Sequence, residues 1–196
     1  MSAPRPFRVT VFCGSRSPAD PSYDDAARAL GTGLAQLGAA VVYGGAGVGT
    51  MRTLADAALD AGGVVLGVIP DELEDREVAH TAITELHVVD SMAERKTLLI
   101  ELADVFVALP GGLGTLDELF EVAVRAQVGL HDKPIYLVNL AGYYDHLCAF
   151  FDHAVAVGLM RDAHRGAFLV VPDVPAVLDA VRAHQATPRP SADAPG

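Results

Sequence analysis

The fold is decided by residues 105–121, VFVALPGGLGTLDELFE. Residues 105–109 form an apolar run of strand length, and the Pro-Gly-Gly at 110–112 ends that run. Beyond Gly114 the apolar residues recur at the spacing of one face of a helix, and they are Leu116, Leu119, Phe120 and Ala123. The segment therefore predicts a buried strand, a glycine loop and the N-terminus of a helix.

A junction of this kind is suited to binding a phosphate group. The first turn of a helix offers free backbone N–H groups and the positive end of the helix dipole to an anion, and glycine allows an anion to approach the backbone closely. Thr115 can cap the helix or bond to a phosphate oxygen. Glu118 and Glu121 follow on one helix face. The segment thus places a phosphate cradle and two carboxylates within about one and a half helical turns.

Strand and helix patterns alternate along the rest of the chain. Apolar runs rich in β-branched residues predict further strands at residues 8–13, 39–43, 64–69, 85–89, 135–139 and 167–171. Helical periodicity predicts further helices at residues 23–37, 53–61, 91–102, 142–158 and 174–184. This alternation predicts an α/β fold with a Rossmann-like, doubly wound parallel sheet in a single domain.

We expect this domain to span residues 8–185. Residues 1–7 contain two prolines and predict a flexible N-terminus. The Pro-, Ala- and Ser-rich residues 186–196 predict a disordered tail. The charged residues 71–81 predict an irregular surface segment.

Glycine loops follow the first, second and fifth predicted strands. Gly14-Ser15 lies in the first loop, and Gly44-Gly45 begins the second. Because the carboxyl ends of parallel strands meet at one edge of a sheet, we expect the three loops to form one ligand site. The second loop is not an ATP-binding P-loop, since Thr50 stands where the lysine is required, and its glycine spacing also differs from the NAD fingerprint. The phosphate cradle, the adjacent Arg95 and Lys96 and the two carboxylates together suit a nucleoside monophosphate.

The charge balance restricts the classes of partner. Lys and Arg together number 14 against 25 Asp and Glu, which gives a formal net charge of −11. This charge argues against a surface for nucleic acid or anionic membrane. It also means that a phosphate site needs its own local cations, for which the adjacent Arg95 and Lys96 are candidates.

The sequence lacks the patterns of a membrane protein, a secreted protein, a disulfide-rich protein and a metal-binding protein. No apolar run reaches the ~18 residues of a membrane span, and the first residues lack the apolar region of a signal peptide, so we expect a cytoplasmic protein. Cys13 and Cys148 form neither a disulfide framework nor a zinc pattern and are predicted to be core thiols. His146 and His153 are seven residues apart, whereas metal ligands on one helix need closer spacing, so no metal site is predicted.

Two motifs in this chain resemble those of the Lonely Guy (LOG) family. Residues 110–118, PGGLGTLDE, match its PGGxGTxxE motif, and Met92-x-x-Arg95-Lys96 matches a second element. The similarity runs from about residue 8 to about residue 183. Members of this family are cytokinin riboside 5′-monophosphate phosphoribohydrolases that were formerly described as "lysine decarboxylase-like".

The resemblance implies a reaction and an assembly. The reaction is hydrolysis of the N-glycosidic bond of N6-substituted AMP, which releases the free base and ribose 5-phosphate. We expect no cofactor, and the resemblance implies a homodimer. The residues that match the family's essential pair are Arg95 and Glu118, and Glu121 is our second candidate carboxylate. An oxocarbenium-like transition state would be stabilised by a nearby carboxylate, and Arg95 could assist departure of the base.

The candidate substrate-binding residues come from the three loops, the Met-x-x-Arg-Lys element and one acidic segment in which a family glutamate contacts the substrate. They are Gly14, Ser15, Gly44, Gly45, Glu77, Met92, Arg95, Lys96, Gly111, Gly112, Leu113, Gly114, Thr115, Leu116, Asp117 and Glu118.

The chain departs from the family pattern in two places. In the second loop Ala46, Thr50 and Arg52 replace glycine, leucine and glycine, and Val124-Arg125 stand where the family has Thr-Trp. A non-catalytic binding protein for a nucleotide or molybdenum cofactor, built on the same scaffold, is therefore the alternative hypothesis. Lysine decarboxylation has no support, because the two lysines of the chain form no recognisable pyridoxal phosphate site.

Overall fold

Seven parallel strands form one sheet in the computed structural model, which describes residues 5–74 and 78–187. The strands are β1 (Arg8–Phe12), β2 (Ala40–Tyr43), β3 (Val65–Pro70), β4 (Glu85–Val89), β5 (Val105–Ala108), β6 (Ile135–Val138) and β7 (Phe168–Val171). Their order across the sheet is β4-β3-β2-β1-β5-β6-β7. The chain winds outward from β1 in both directions, so the point of reversal lies between β1 and β5.

Helices cover both faces of this sheet. They are α1 (Pro21–Gln36), α2 (Gly49–Asp60), α3 (Asp71–Glu74), α4 (Met92–Leu102), α5 (Leu113–Gln127), α6 (Asp145–Ala156), α7 (Asp162–Arg165) and α8 (Val174–Ala186). One core joins α1, α2 and α8 to the sheet, and the core on the opposite face contains residues of α4, α5 and α6. The predicted α/β class, doubly wound parallel sheet and single domain are confirmed. No helix in the described part of the chain has the length and apolarity needed to cross a bilayer.

The alternation of side chains along β1 explains why both faces are apolar. Val9 and Val11 belong to the core under α1 and α2, whereas Phe12 belongs to the core under α4 and α5. Thr10 is buried on the sheet, and its hydroxyl donates to the Leu99 carbonyl of α4 at 3.0 Å. A parallel strand covered on both sides is mostly apolar on both sides, and the polar Thr10 is accommodated because its hydroxyl is hydrogen-bonded.

Two predicted helices start three or more residues away from the predicted position. Helix α2 begins at Gly49 instead of residue 53, because its first turn is fixed to the loop after β1. The Thr50 hydroxyl and the Met51 amide both donate to the Gly14 carbonyl of that loop. Helix α6 begins at Asp145 instead of residue 142. Gly142 has φ of +76°, which cannot continue a right-handed helix, so a short 3-10 turn precedes α6.

Ordered structure extends beyond both predicted ends of the domain, residues 8 and 185. Arg5, assigned from sequence to the flexible N-terminus, forms two hydrogen bonds of 2.9 and 2.8 Å with the Asp104 carboxylate. Phe7 packs against the core. Helix α8 extends to Ala186, one residue into the predicted tail, and residues 188–196 lie outside the described residues.

Close packing of α1 against α2 depends on Gly31. A Cβ at Gly31 would overlap the carbonyl oxygen of Leu54, and a helix backbone moves less readily than a side chain. We expect Gly31→Ala to lower the free energy of unfolding by about 1–3 kcal/mol despite the better helix propensity of alanine. Gly33→Ala is the control, because a Cβ there meets the flexible Leu178 side chain. Urea unfolding of both variants measures the difference, and equal losses would contradict the packing argument.

Candidate active site

A cavity of about 780 Å³ opens at the carboxyl ends of the central strands, beside the reversal between β1 and β5. All three glycine loops contribute to its wall, with Gly14 from the first, Gly44 from the second and Gly112 from the third. Apolar residues form another part of the wall and are Val48, Met51, Ile69, Leu73 and Val78. The cavity therefore has a loop side rich in backbone N–H groups and an apolar side.

The loop after β1 is held against the start of α2. Gly49 has φ of +56°, and a Cβ there would overlap the backbone of Ser15 and Arg16. The same contact region includes the two hydrogen bonds that the Gly14 carbonyl accepts from α2. Glycine at this position therefore lets the two loops approach each other at backbone distance.

A short segment after residue 77 is fixed to the loop after β2. The Gly47 amide donates to the Val78 carbonyl at 2.7 Å, and the His80 amide donates to the Gly45 carbonyl at 2.9 Å. The His80 Nε2 atom also lies 2.8 Å from the Asp56 carboxylate of α2. These three contacts hold Val78 in the cavity wall. Glu77, predicted to contact substrate, lies outside the described residues.

Arg95 reaches from α4 to the bottom of this cavity. Its side chain is buried, and the Nε and Nη2 groups donate to the Val68 carbonyl at 3.0 Å and the Gly44 carbonyl at 3.2 Å. The Nη1 atom lies 3.2 Å from the Glu118 carboxylate. The guanidinium thus joins the ends of β2 and β3 to α5. A Cβ at Gly44 would overlap Nη2, which is held by its hydrogen bond to the Gly44 carbonyl, so glycine is needed there for a packing reason.

Glu118 is a buried carboxyl group, 7% exposed, on the first turns of α5. Burial raises its pKa to about 7, and Asp117 adds to the rise, whereas Arg95 and Lys96 oppose it. Cys13 lines the cavity as well, and its thiol pKa is raised to about 12 by burial and by the Glu118 charge. A carboxyl group with a pKa near neutrality can accept or donate a proton at cellular pH, which is the property of a general acid or base.

The raised pKa of Glu118 predicts a pH-dependent stability. Its folded-state pKa lies above the ordinary value of 4.5, so its contribution is fully present below about pH 4.5 and is lost as the pH rises through about 7, by up to about 3 kcal/mol. Glu118→Gln removes this titration. We therefore expect the free energy of unfolding of the wild type, relative to that variant, to fall between about pH 5 and about pH 8. Parallel pH profiles in urea unfolding would contradict the prediction.

Glu121 and Lys96 lie in a separate ion network outside the cavity wall. The Lys96 ammonium is 3.2 Å from Asp117 and 3.3 Å from Glu121, and Arg125 is 2.9 Å from Glu121. Arg125 also donates to the Thr97 hydroxyl at 3.1 Å. Hydrogen bonds from Arg125 and Lys96 hold the pKa of Glu121 below its usual value. The arginine that replaces the family's tryptophan therefore joins α4 to α5.

The loop after β5 leads directly into α5. The Tyr143 hydroxyl donates to the Gly111 carbonyl at 2.6 Å, and the Tyr144 hydroxyl donates to the Leu109 carbonyl at 2.7 Å. Thr115 lines the cavity and is 2% exposed, yet its buried hydroxyl has no hydrogen-bond partner among the described residues. An orphaned hydroxyl at the N-terminus of a long helix is the arrangement that an anion would complete.

The cavity brings together nine of the residues that the sequence nominated: Gly14, Ser15, Gly44, Arg95, Gly112, Leu113, Gly114, Thr115 and Glu118. Seven others lie outside its wall: Gly45, Met92, Lys96, Gly111, Leu116, Asp117 and Glu121. Sequence reasoning missed Arg16 and the apolar wall. Arg16 follows the nominated Ser15 directly, so its position was the available signal. Among the described residues, no cluster of His, Cys, Asp and Glu is arranged to hold a metal ion.

Comparison with known proteins identifies relatives across the same region. Residues 51–181 match the model of a family described as "Possible lysine decarboxylase". The chain is 45% identical over 180 residues to a cytokinin riboside 5′-monophosphate phosphoribohydrolase of Rhodococcoides fascians, which covers 91% of each chain. It is 42% identical over 178 residues to the corresponding LOG5 enzyme of Arabidopsis thaliana, covering 91% of this chain and 78% of the relative.

Solved structures share the fold. The molybdenum cofactor carrier protein of Chlamydomonas reinhardtii superposes with a TM-score of 0.72 at 26% identity, covering 93% of this chain and 100% of that chain. A molybdenum cofactor binding protein of Rippkaea orientalis superposes with a TM-score of 0.69 at 19% identity, covering 92% and 98% of the two chains, a likeness in fold alone.

Proposed function

The chain belongs to the Lonely Guy (LOG) family, and from that premise we propose that it is a nucleoside 5′-monophosphate phosphoribohydrolase, an N-glycosyl hydrolase. Its substrate is AMP, unsubstituted or N6-substituted, and its products are the free base and ribose 5-phosphate. The observation that carries the proposal is the buried Glu118 carboxyl group, held 3.2 Å from the Arg95 guanidinium in a cavity whose rim is a phosphate-binding type of loop.

The geometry supports a simple placement of the substrate. The phosphate group lies at the N-terminus of α5, where the Gly112–Thr115 backbone and the Thr115 hydroxyl provide donors. The base and its substituent lie along the apolar wall that includes Met51, Ile69 and Val78. Between them, the ribose faces Glu118. The apolar wall supports an adenine whose N6 substituent is a hydrocarbon.

The chemistry breaks the bond between C1′ and the base nitrogen. As that bond lengthens, the sugar acquires oxocarbenium character and the electron pair leaves with the base. A water molecule attacks C1′ and gives its proton to the ionised Glu118 carboxylate, which also stabilises the positive charge. The departing base takes up one proton from solvent, and Glu118 returns the proton it accepted from water to solvent, so that the carboxylate is regenerated and the atoms and charges balance. Arg95 positions Glu118 through the contact between the two side chains, and its positive charge keeps part of the Glu118 population ionised.

The proposed enzyme is a cytoplasmic homodimer. An exposed apolar strip on α5 and the residues after it supports pairing of two copies: Leu113, Phe120, Val124, Val128 and Leu130. Leu113 is 86% exposed although it lies at the cavity wall, so a second copy seated on this strip would cover apolar surface beside the site. Gel filtration with light scattering measures the assembly.

A carrier of molybdenum cofactor is the second candidate. The fold similarity to the Chlamydomonas carrier favours it. The higher identity to the phosphoribohydrolases and the Arg95–Glu118 pair favour hydrolysis.

Base release tests the proposed function. The protein is incubated with AMP, N6-isopentenyl-AMP and N6-isopentenyladenosine, and the free base is separated by chromatography. Release from the monophosphates and not from the riboside is expected. Tight binding without release of any base would overturn the hydrolase and leave the carrier.

A further inference from the structure

We propose that Arg16 is a phosphate-binding residue of this site, so that its guanidinium supplies the positive charge that selects 5′-monophosphates over free nucleosides. This inference rests on the proposed function for the identity of the ligand. Among the described residues, two cationic side chains line the cavity, those of Arg16 and Arg95.

The other two candidate cations are already engaged. Arg95 donates to the Val68 and Gly44 carbonyls and contacts Glu118, so its positive charge is paired with a buried carboxyl group. Lys96 contacts Asp117 and Glu121 in the network outside the cavity wall. A phosphate monoester dianion therefore needs a further cation, above all in a chain of net charge −11.

Arg16 has the placement and the freedom that this role requires. Its side chain is exposed, and among the described residues it has no side-chain hydrogen bond or ion pair. Its backbone is fixed, because it packs against Gly49 at the start of α2. The loop that carries it also approaches the phosphate loop, since a Cβ at Gly14 would lie 3.8 Å from the Gly111 Cα atom.

Thr115 independently indicates where the phosphate group would bind. The Thr115 hydroxyl is buried, lines the same cavity and has no partner among the described residues. A phosphate at the start of α5 would accept from that hydroxyl and from backbone N–H groups. The Arg16 guanidinium would then donate two charge-assisted hydrogen bonds to the phosphate oxygens that face away from α5.

The test compares ligands with and without the phosphate group. Ribose 5-phosphate and adenosine, which the protein is not expected to turn over, are titrated calorimetrically with Glu118 present, so that the Arg95–Glu118 pair is intact. AMP is titrated in a Glu118→Gln background, so that turnover does not disturb the binding. Arg16→Gln is expected to weaken AMP and ribose 5-phosphate by roughly 10- to 100-fold and to leave adenosine unchanged. Arg16→Lys should recover part of the loss, and the salt dependence of AMP affinity should fall in Arg16→Gln.

A matched control and the contrary outcomes complete the experiment. Arg182→Gln removes an exposed arginine of α8 whose partner is Asp179 and should leave all three affinities unchanged. Equal weakening of AMP and adenosine by Arg16→Gln, or no weakening of either, would overturn the role of Arg16. AMP binding with the expected Arg16 dependence but no base release by the wild type would overturn the proposed hydrolysis alone.

Discussion

Glu118→Gln is expected to reduce base release from AMP by about 10²–10⁴-fold while AMP still binds. The variant keeps the size of the buried side chain but has no carboxylate to accept a proton from water or to face the positive sugar. Among the described residues that line the cavity, Glu118 is the one with a carboxyl group, and burial raises its pKa to about 7. The measurement is the turnover number from chromatography together with the AMP dissociation constant from calorimetry. An unchanged turnover number would remove Glu118 from the chemistry.

Glu121→Gln is the discriminating comparison for this result. Glu121 was the second candidate carboxylate from sequence, but its oxygens contact Lys96 and Arg125 outside the cavity wall. We expect its removal to lower the turnover number far less than removal of Glu118. Equal losses in the two variants would restore the two-carboxylate mechanism that the helical spacing suggested.

Arg95→Ala is expected to be the most destabilising single substitution in the site. It leaves the Val68 and Gly44 carbonyls without their side-chain donor and leaves Glu118 without its cation. Breaking a buried ion pair by removing one partner costs about 3–5 kcal/mol, and urea unfolding measures this loss. A loss below about 1 kcal/mol would show that the contacts of Arg95 are dispensable.

Two further measurements separate the roles of Arg95. Adding Glu118→Gln to Arg95→Ala should recover part of the stability, since the unpaired charge is then gone, and a double-mutant cycle gives the coupling. If Arg95 also binds phosphate, as its sequence position suggests, the variant should weaken AMP far more than adenosine. Equal weakening of both ligands would refute a phosphate role and leave Arg95 as the residue that positions Glu118.

The sequence was informative where the chemistry is carried by a continuous segment. The residues of the loop after β5 and the helix that follows are adjacent in the chain, so the turn, the helix start and Glu118 could be placed together from local patterns. The convergence of distant loops could be expected because parallel strands present their carboxyl ends at one edge.

The direction of each side chain could not be predicted in the same way. Adjacent residues on an α-helix are about 100° apart around the axis, so Arg95 and Lys96 point to different surroundings although the sequence pairs them. The carbonyl partners of Arg95 lie on β3 and beyond β2, dozens of residues away in the chain. Such contacts depend on the assembled sheet, and no local pattern records them.

The overlap between a Cβ at position 44 and the Arg95 guanidinium couples the evolutionary histories of two positions. Any side chain at Gly44 demands that Arg95 move or shrink first, so the order in which substitutions accumulate becomes restricted. If the arginine is lost, its guanidinium no longer restricts position 44, and a side chain acquired there would overlap a returning arginine. The site is therefore easier to dismantle by stepwise substitution than to rebuild.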